Sequence, residues 1–219
     1  EQLKTRGMSA PDNPPATPPA TPPDRPRLPW DPPEHFEKRV PDGDNRERLV
    51  CGRCEFIHYQ NPKVVAGAVC TWRDGKGADK ILLAKRAIEP RKGFWTLPAG
   101  YMELGETTEQ AAAREAKEEA CATIEIERLL AMYSVARIGQ VQIMYRARLL
   151  NADIAAGVES EEVALVDWVD IPWEQLAFPT VVWALAHFHD SRGKTEFATY
   201  SNPTGELARM WPPRKPEGV

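Results

Sequence analysis

Hydrophobic residues recur with two different periods along this chain, and each change of period marks an element. Val64-Val65-Ala66-Gly67-Ala68-Val69-Cys70 is an unbroken apolar run, the pattern of a strand buried on both faces. Ile81-Leu82-Leu83-Ala84 is its hairpin partner across the polar stretch from Asp74 to Lys80. Residues 94–97 form a further apolar strand end that runs through Pro98 and Ala99 into Gly100. Residues 124–134 and 140–150 read as two long strands joined near Gly139, and residues 163–169 as another. Helical spacing appears after Thr107 and again over residues 180–189, where Val181, Val182, Leu185 and Phe188 make one apolar face. Residues 173–176 predict a short helix. A mixed sheet with one helix inserted and one at its end predicts a layered α/β domain.

The pattern fades at both ends. Residues 1–34 are rich in Pro, Ala, Thr and Asp and carry too little apolar surface to order themselves, so a disordered tail is expected there. Met8 lies inside this segment and reads as a candidate native start. Residues 35–62 form a small, turn-rich module, residues 63–190 the main domain, and residues 191–219 a polar, Pro-rich, irregular tail.

Composition narrows the class. A chain of 219 residues supplies one sizeable core, and a formal net charge of −4 argues against a nucleic-acid footprint. No apolar run approaches the roughly 20 residues of a spanning helix, and the N-terminus lacks the basic-then-apolar order of a signal peptide. Four cysteines, two of them paired as Cys51-x-x-Cys54, are not a secreted disulfide framework. The expectation is a cytoplasmic protein with a small-molecule partner and no membrane partner, for which a homodimer is a compatible assembly.

The densest chemistry lies between Gly100 and Ala122. Thr107 and Gln110 form a capping-box pair that starts a helix, and Ala111, Ala112, Ala113 and Ala116 fill its interior. Glu115, Glu118 and Glu119 then fall at i, i+3 and i+4, so one face carries three carboxylates. Like charges at that spacing destabilise a helix unless water or a cation offsets them. Oxygen ligands with open geometry suit Mg²⁺ or Mn²⁺; a solvated acidic face is the alternative. Arg114, one turn before Glu118, is placed to hold Glu106 by a bidentate contact.

Gly100, Glu106, Arg114, Glu115, Ala116, Glu118, Glu119 and Ala122 match the Nudix box, Gly-x5-Glu-x7-Arg-Glu-U-x-Glu-Glu-x-Gly-U, with U aliphatic. The chain thus resembles the Nudix hydrolase family over residues 63–190. Cys121 stands where the pattern has glycine, at a helix exit that usually needs the left-handed conformation, a departure worth about 1 kcal/mol. The resemblance implies an α/β/α sandwich and hydrolysis of the pyrophosphate in a nucleoside diphosphate joined to a second moiety. It implies Glu115, Glu119, Glu118 and the Ala99 carbonyl as metal ligands, with Glu106 and Arg114 orienting them. The general base is either Glu115 or an acid on the loop from Gly157 to Glu162, of which Glu162 is taken. Arg86 is a candidate phosphate contact or a surface arginine. Trp95 and Tyr133 are candidate stacking platforms or core residues, and Gln140 and Gln142, alternating on one strand, line the pocket or face solvent.

The run from Ala87 to Glu103 is similar to that of ADP-ribose and FAD pyrophosphatases. Relatives that cleave reduced NAD carry an SQPWPFP segment after the box; here the chain reads Tyr133-Ser134-Val135-Ala136-Arg137-Ile138, which counts against that substrate. A nucleotide-binding sensor without catalysis is the rival reading, and such modules generally lose box glutamates that this chain keeps. Cys51-Gly52-Arg53-Cys54 resembles half of the zinc ribbon that precedes some family members. The partner positions fall near Pro29 and Pro32, and proline cannot ligate. His35 and His58 are the only nearby substitutes, so a degenerate ribbon without structural zinc is expected.

Overall fold

The computed structural model describes residues 35–73, 79–210 and 212–219. The expected N-terminal tail, with Pro29 and Pro32, lies outside the described residues, as does most of the turn expected after Arg73. The chain divides into two compact units, with the boundary between Gln60 and Asn61.

The first unit is a three-stranded antiparallel sheet of β1 (Phe36–Arg39), β2 (Arg48–Cys51) and β3 (Ile57–His58), in that order. Cys51 ends β2 in a tight turn. Its carbonyl accepts from the Glu55 N–H at 2.9 Å and its N–H donates to the Phe56 carbonyl at 2.8 Å. Cys51 is buried and Cys54 exposed, both as free thiols. Backbone N–H groups of Arg53 and Cys54 lower the Cys51 pKa.

The second unit contains β4 (Lys63–Arg73), β5 (Asp79–Arg86), β6 (Trp95–Thr96), β7 (Ala99–Tyr101), α1 (Thr108–Ala120), β8 (Ile124–Val135), β9 (Gln140–Leu149), β10 (Ser160–Asp167), α2 (Pro179–Ser191) and α3 (Gly205–Ala208). Its seven-stranded sheet runs β10-β5-β4-β9-β8, with β6 on β5 and β7 on β4. Among the described strands of this sheet only β4 and β9 pair in parallel. A parallel pair needs a long crossover, and α1 with β8 supplies it.

Alternation along β4 and β5 builds two cores. Ala66, Ala68, Cys70 and Leu82 face Ala111, Ala112, Ala116 and Ala120 of α1. Val69, Ile81 and Leu83 face the other way, toward Val181, Val182 and Leu185 of α2. The α/β/α sandwich follows directly from strands that are apolar on both faces. Small residues on both sides of the first layer let α1 ride close to the sheet.

Two elements differ from the expected ones. β10 begins at Ser160, ahead of its apolar run, because exposed Glu161 and Glu162 extend the pairing across a bulge between Ser160 and Glu162. It ends at Asp167, where a 3₁₀ turn over Trp168–Asp170 takes over. The segment after Ser191, where an irregular tail is expected, carries the short α3 and is docked. Tyr200 donates to the Leu130 carbonyl at 2.9 Å and accepts from the Met132 N–H at 3.0 Å. The Asn202 side chain exchanges two further bonds with the Ser134 backbone, at 2.7 and 2.9 Å. These contacts cover part of the β8 edge, whose backbone groups would otherwise be unpaired. Met210 is buried against the same core.

Candidate active site

Helix α1 starts as its sequence dictates. Gln110 N–H donates to Thr107 Oγ1 at 3.2 Å, and Thr107 N–H donates to Gln110 Oε1 at 2.8 Å. Its exit keeps the glycine geometry despite the cysteine. Cys121 takes the left-handed conformation at φ 51° and donates to the Lys117 carbonyl at 3.0 Å, while Ala122 donates to the Ala116 carbonyl at 3.1 Å.

The three carboxylates are not equivalent. Glu115 and Glu119 are buried, at 8% and 6% exposure, whereas Glu118 lies at the surface. Glu119 Oε2 accepts from the Ala99 N–H of β7 at 3.2 Å. Gly100 makes room for Glu115: a Cβ on Gly100 would collide with the Glu115 carboxyl group. Burial, with the neighbouring charge of Glu115, pushes the Glu119 carboxyl up to about 8. Burial also raises Glu115, against the opposing pull of Arg114.

Arg114 is the hub. Its Nε and Nη2 clasp Glu106 at 3.0 and 2.8 Å, Nη1 reaches Glu115 at 2.7 Å and Glu118 at 2.9 Å, and Nη2 donates to the Tyr101 carbonyl at 2.9 Å. The clasp, with the Glu103 N–H at 2.6 Å, pulls Glu106 down to about 2. Glu106 and Arg114 thus lie together, as the box spacing implies. As they stand, the side chains converge on Arg114. Among the described residues no group of three or more His, Cys, Asp or Glu is arranged to hold a metal ion. Glu119 is the exception to this pairing, since the backbone N–H of Ala99 is its hydrogen-bond partner.

The loop before β10 supplies a further acid. Gly157 N–H donates to the Glu119 carbonyl and Ala155 N–H to the Ala120 carbonyl, both at 3.0 Å, so the loop caps the last turn of α1. A Cβ on Gly157 would collide with the Glu118 carbonyl oxygen. The turn places Glu159, whose charge raises both Glu115 and Glu119. Glu162 is elsewhere. Beyond the bulge it is exposed and pairs with Lys85 at 3.9 Å, so the acid of this loop whose charge reaches Glu115 and Glu119 is Glu159. Its clue in the sequence is Gly157, a glycine just before an acidic run.

The substrate-side residues separate as well. Arg86 donates to the Pro90 carbonyl at 2.8 Å and lies 5.3 Å over the Phe178 ring, and its charge reaches Glu119. Trp95 is half-buried with Lys85 6.0 Å from its ring. Tyr133 is a correction: it is fully buried, its hydroxyl lies 2.8 Å from His187 Nδ1, and its ring packs edge-on against Trp183 at 5.5 Å. It belongs to the core under α2 and has no surface on which a ring could stack.

The chain is similar to known proteins. The NUDIX domain model matches residues 62–190, and the Nudix N-terminal ribbon model matches residues 34–60. The crystal structure of a Nudix hydrolase from Nitrosomonas europaea is 44% identical, with a TM-score of 0.69, and the likeness covers 76% of this chain and 93% of that one. An ADP-ribose pyrophosphatase of Methanocaldococcus jannaschii is 36% identical over 104 residues, 46% of this chain and 60% of that protein. The NAD-capped RNA hydrolase NudC of Vibrio atlanticus is 39% identical over 75 residues, 34% of this chain and 26% of that protein. The chain therefore spans less than two thirds of each of these curated relatives. Together with the box geometry on α1, the matched domain places the chain in the Nudix hydrolase family, with that family's N-terminal ribbon ahead of the domain.

Proposed function

We propose that this chain is a divalent-cation-dependent pyrophosphohydrolase acting on a nucleoside diphosphate joined to a second moiety, with ADP-ribose and FAD as the favoured class. One observation carries the reading: Glu119 is a buried carboxylate beside a second buried carboxylate, with only a backbone N–H bonded to it. Two desolvated like charges are costly unless a cation joins them or a proton stays on. The donor set fits a hard ion: carboxylates of Glu115, Glu119 and Glu118 and the Ala99 carbonyl, all oxygen. Glu118 would exchange Arg114 for the ion.

A bound Mg²⁺ or Mn²⁺ would supply charge neutralisation at the phosphate oxygens and a lowered pKa for water. The protein's own groups do the rest. Arg114 and Glu106 fix the acid face, so that Glu115 and Glu119 need not reorganise when substrate arrives. Arg86 contacts a phosphate oxygen. Glu159 takes the proton of the attacking water, a role for which its place on the capped loop suits it better than Glu162. Water adds to one phosphorus, the bridging bond breaks, and a nucleoside monophosphate and a phosphorylated partner leave.

The test is a screen of ADP-ribose, FAD, NAD, NADH, dinucleoside polyphosphates and nucleotide sugars, each with Mg²⁺ and with Mn²⁺. Turnover of ADP-ribose or FAD, abolished by a chelator, is expected. Binding of these compounds without turnover of any would replace the enzyme with a sensor.

A further inference from the structure

Strand β2 of the first unit ends on a pair of thiols that the hydrolase reading does not use. Cys51 is its last residue, and the backbone there is held from both sides. Cys51 N–H donates to the Phe56 carbonyl at 2.8 Å, its carbonyl accepts from the Glu55 N–H at 2.9 Å, and the Gly52 N–H donates to the His35 carbonyl at 2.7 Å. Glu55 takes a positive φ of 60°, which turns the chain back toward Phe56. Cys54 is the fourth residue of this turn. Such a turn brings its end Cα atoms within about 7 Å of each other, the span that a disulfide bridges.

The two sulfurs already interact. Cys51 Sγ accepts from the N–H groups of Arg53 and Cys54 and from the Cys54 thiol, and the Arg53 charge acts in the same direction, toward the Cys51 thiolate. The pair differs in access, since Cys51 keeps only 8% of its surface and Cys54 is exposed. Pro29 and Pro32 stand where the other two thiols of a ribbon would fall. Among the described residues no group of three or more His, Cys, Asp or Glu is arranged to hold an ion, whereas a structural zinc takes four ligands. Cys70 is the contrast: burial in the second unit pushes its thiol up to about 12 and leaves it inert.

We propose that Cys51 and Cys54 are a dithiol that closes reversibly to a disulfide on reaction with a low-molecular-weight disulfide of the oxidised-glutathione type. Cys54, the accessible sulfur, loses its proton and attacks one sulfur of the oxidant. A mixed disulfide forms on Cys54, and the first small thiolate leaves. Cys51, held as a thiolate against Cys54 Sγ, attacks that sulfur, and the second small thiolate leaves. Two protein thiols are oxidised, one small disulfide is reduced to two thiols, and the two cysteine protons end on those thiols. Excess small thiol drives the reverse. This site depends on neither the nucleotide nor the divalent-cation reading of the second unit.

The experiment exposes the full chain, with a chelator present, to oxidised glutathione, quenches it with acid and maps peptic peptides by mass. The wild-type peptide that spans residues 51–54 is expected to lose two hydrogens and carry no glutathione, and reduced glutathione is expected to reverse the change. In Cys51→Ala the closing step is removed, so Cys54 is expected to retain glutathione. In Cys54→Ala, a change at an exposed position, the same peptide is expected to stay unmodified, because Cys51 is out of reach. A wild-type peptide that stays reduced overturns the proposal, as does one that keeps glutathione on Cys54. Uptake of glutathione by Cys54→Ala as fast as by Cys51→Ala overturns the order of the two steps and with it the proposal. Stoichiometric zinc in the purified wild type that is lost in Cys54→Ala also overturns it, by making the pair a metal site.

Discussion

The Glu115 carboxyl occupies the space that a side chain on Gly100 would fill. A strand residue of β7 and a helix residue of α1 are thereby matched as a pair, and the first position of the box is a glycine for steric reasons. Gly100→Ala should push the Glu115 carboxyl away from Glu119. The expected result is a loss of Mn²⁺ affinity of about 10- to 100-fold, measured by titration, with far-ultraviolet circular dichroism unchanged. Unaltered Mn²⁺ affinity would separate the glycine from the acid face.

Glu119 makes stability depend on pH in a defined direction. Its carboxyl moves from an ordinary 4.5 to about 8 in the folded chain, so between these values the folded state binds more protons than the unfolded state. The contribution is complete below about pH 4.5 and is lost as pH rises through about 8. In chelator, Tm should fall between pH 6 and pH 9, with a slope of at most about 1.4 kcal/mol per pH unit from this group. Mg²⁺ should restore the loss, and Glu119→Gln should flatten the slope. Glu106, held near 2 by Arg114, acts at the other end, its contribution present above 4.5 and lost as pH falls toward 2. Calorimetric melting from pH 2 to pH 9 checks both signs.

Gly157 and Glu159 should act as one unit. Gly157→Ala must displace the loop that caps α1, because the added carbon meets the Glu118 carbonyl. It and Glu159→Gln should each lower kcat by about 10²-fold or more, and the double variant should be little worse than either. Multiplicative losses in the double variant would show that the loop and the acid act independently.

Cys121 occupies a left-handed position at φ 51°. Cys121→Gly should stabilise the fold by about 1 kcal/mol, or about 2–4 °C in Tm, without altering kcat. A lower Tm would mean that the cysteine side chain contributes packing that outweighs its backbone strain.

The acid face was legible in the sequence because it is local. Helix spacing alone brings Glu115, Glu118 and Glu119 together, and Glu106 lies just before the helix N-cap, about two turns from Arg114. What the sequence hid depends on distant pairing. Tyr133 and Tyr101 are both strand tyrosines, and only the docking of α2, through His187 and Trp183, buries the first and leaves the second exposed. Glu159 and Glu162 sit on the same acidic run, and it is the pairing of β10 with β5, bulged between Ser160 and Glu162, that sets Glu162 beside Lys85. The polar segment from Ser191 onward lacks an apolar period, yet Tyr200 and Asn202 bond it to the β8 edge through backbone groups, which no hydrophobic pattern reports.

The central claim is that the buried acids of α1 act on a diphosphate through a divalent cation. Steady-state cleavage of ADP-ribose with Mg²⁺, by the wild type and by Glu119→Gln at matched folding, addresses it most directly. A fall in kcat of about 10²-fold or more in the variant, with no turnover by either protein in chelator, is the result this account predicts. Equal turnover by the two proteins, or turnover that persists without divalent cations, would contradict it.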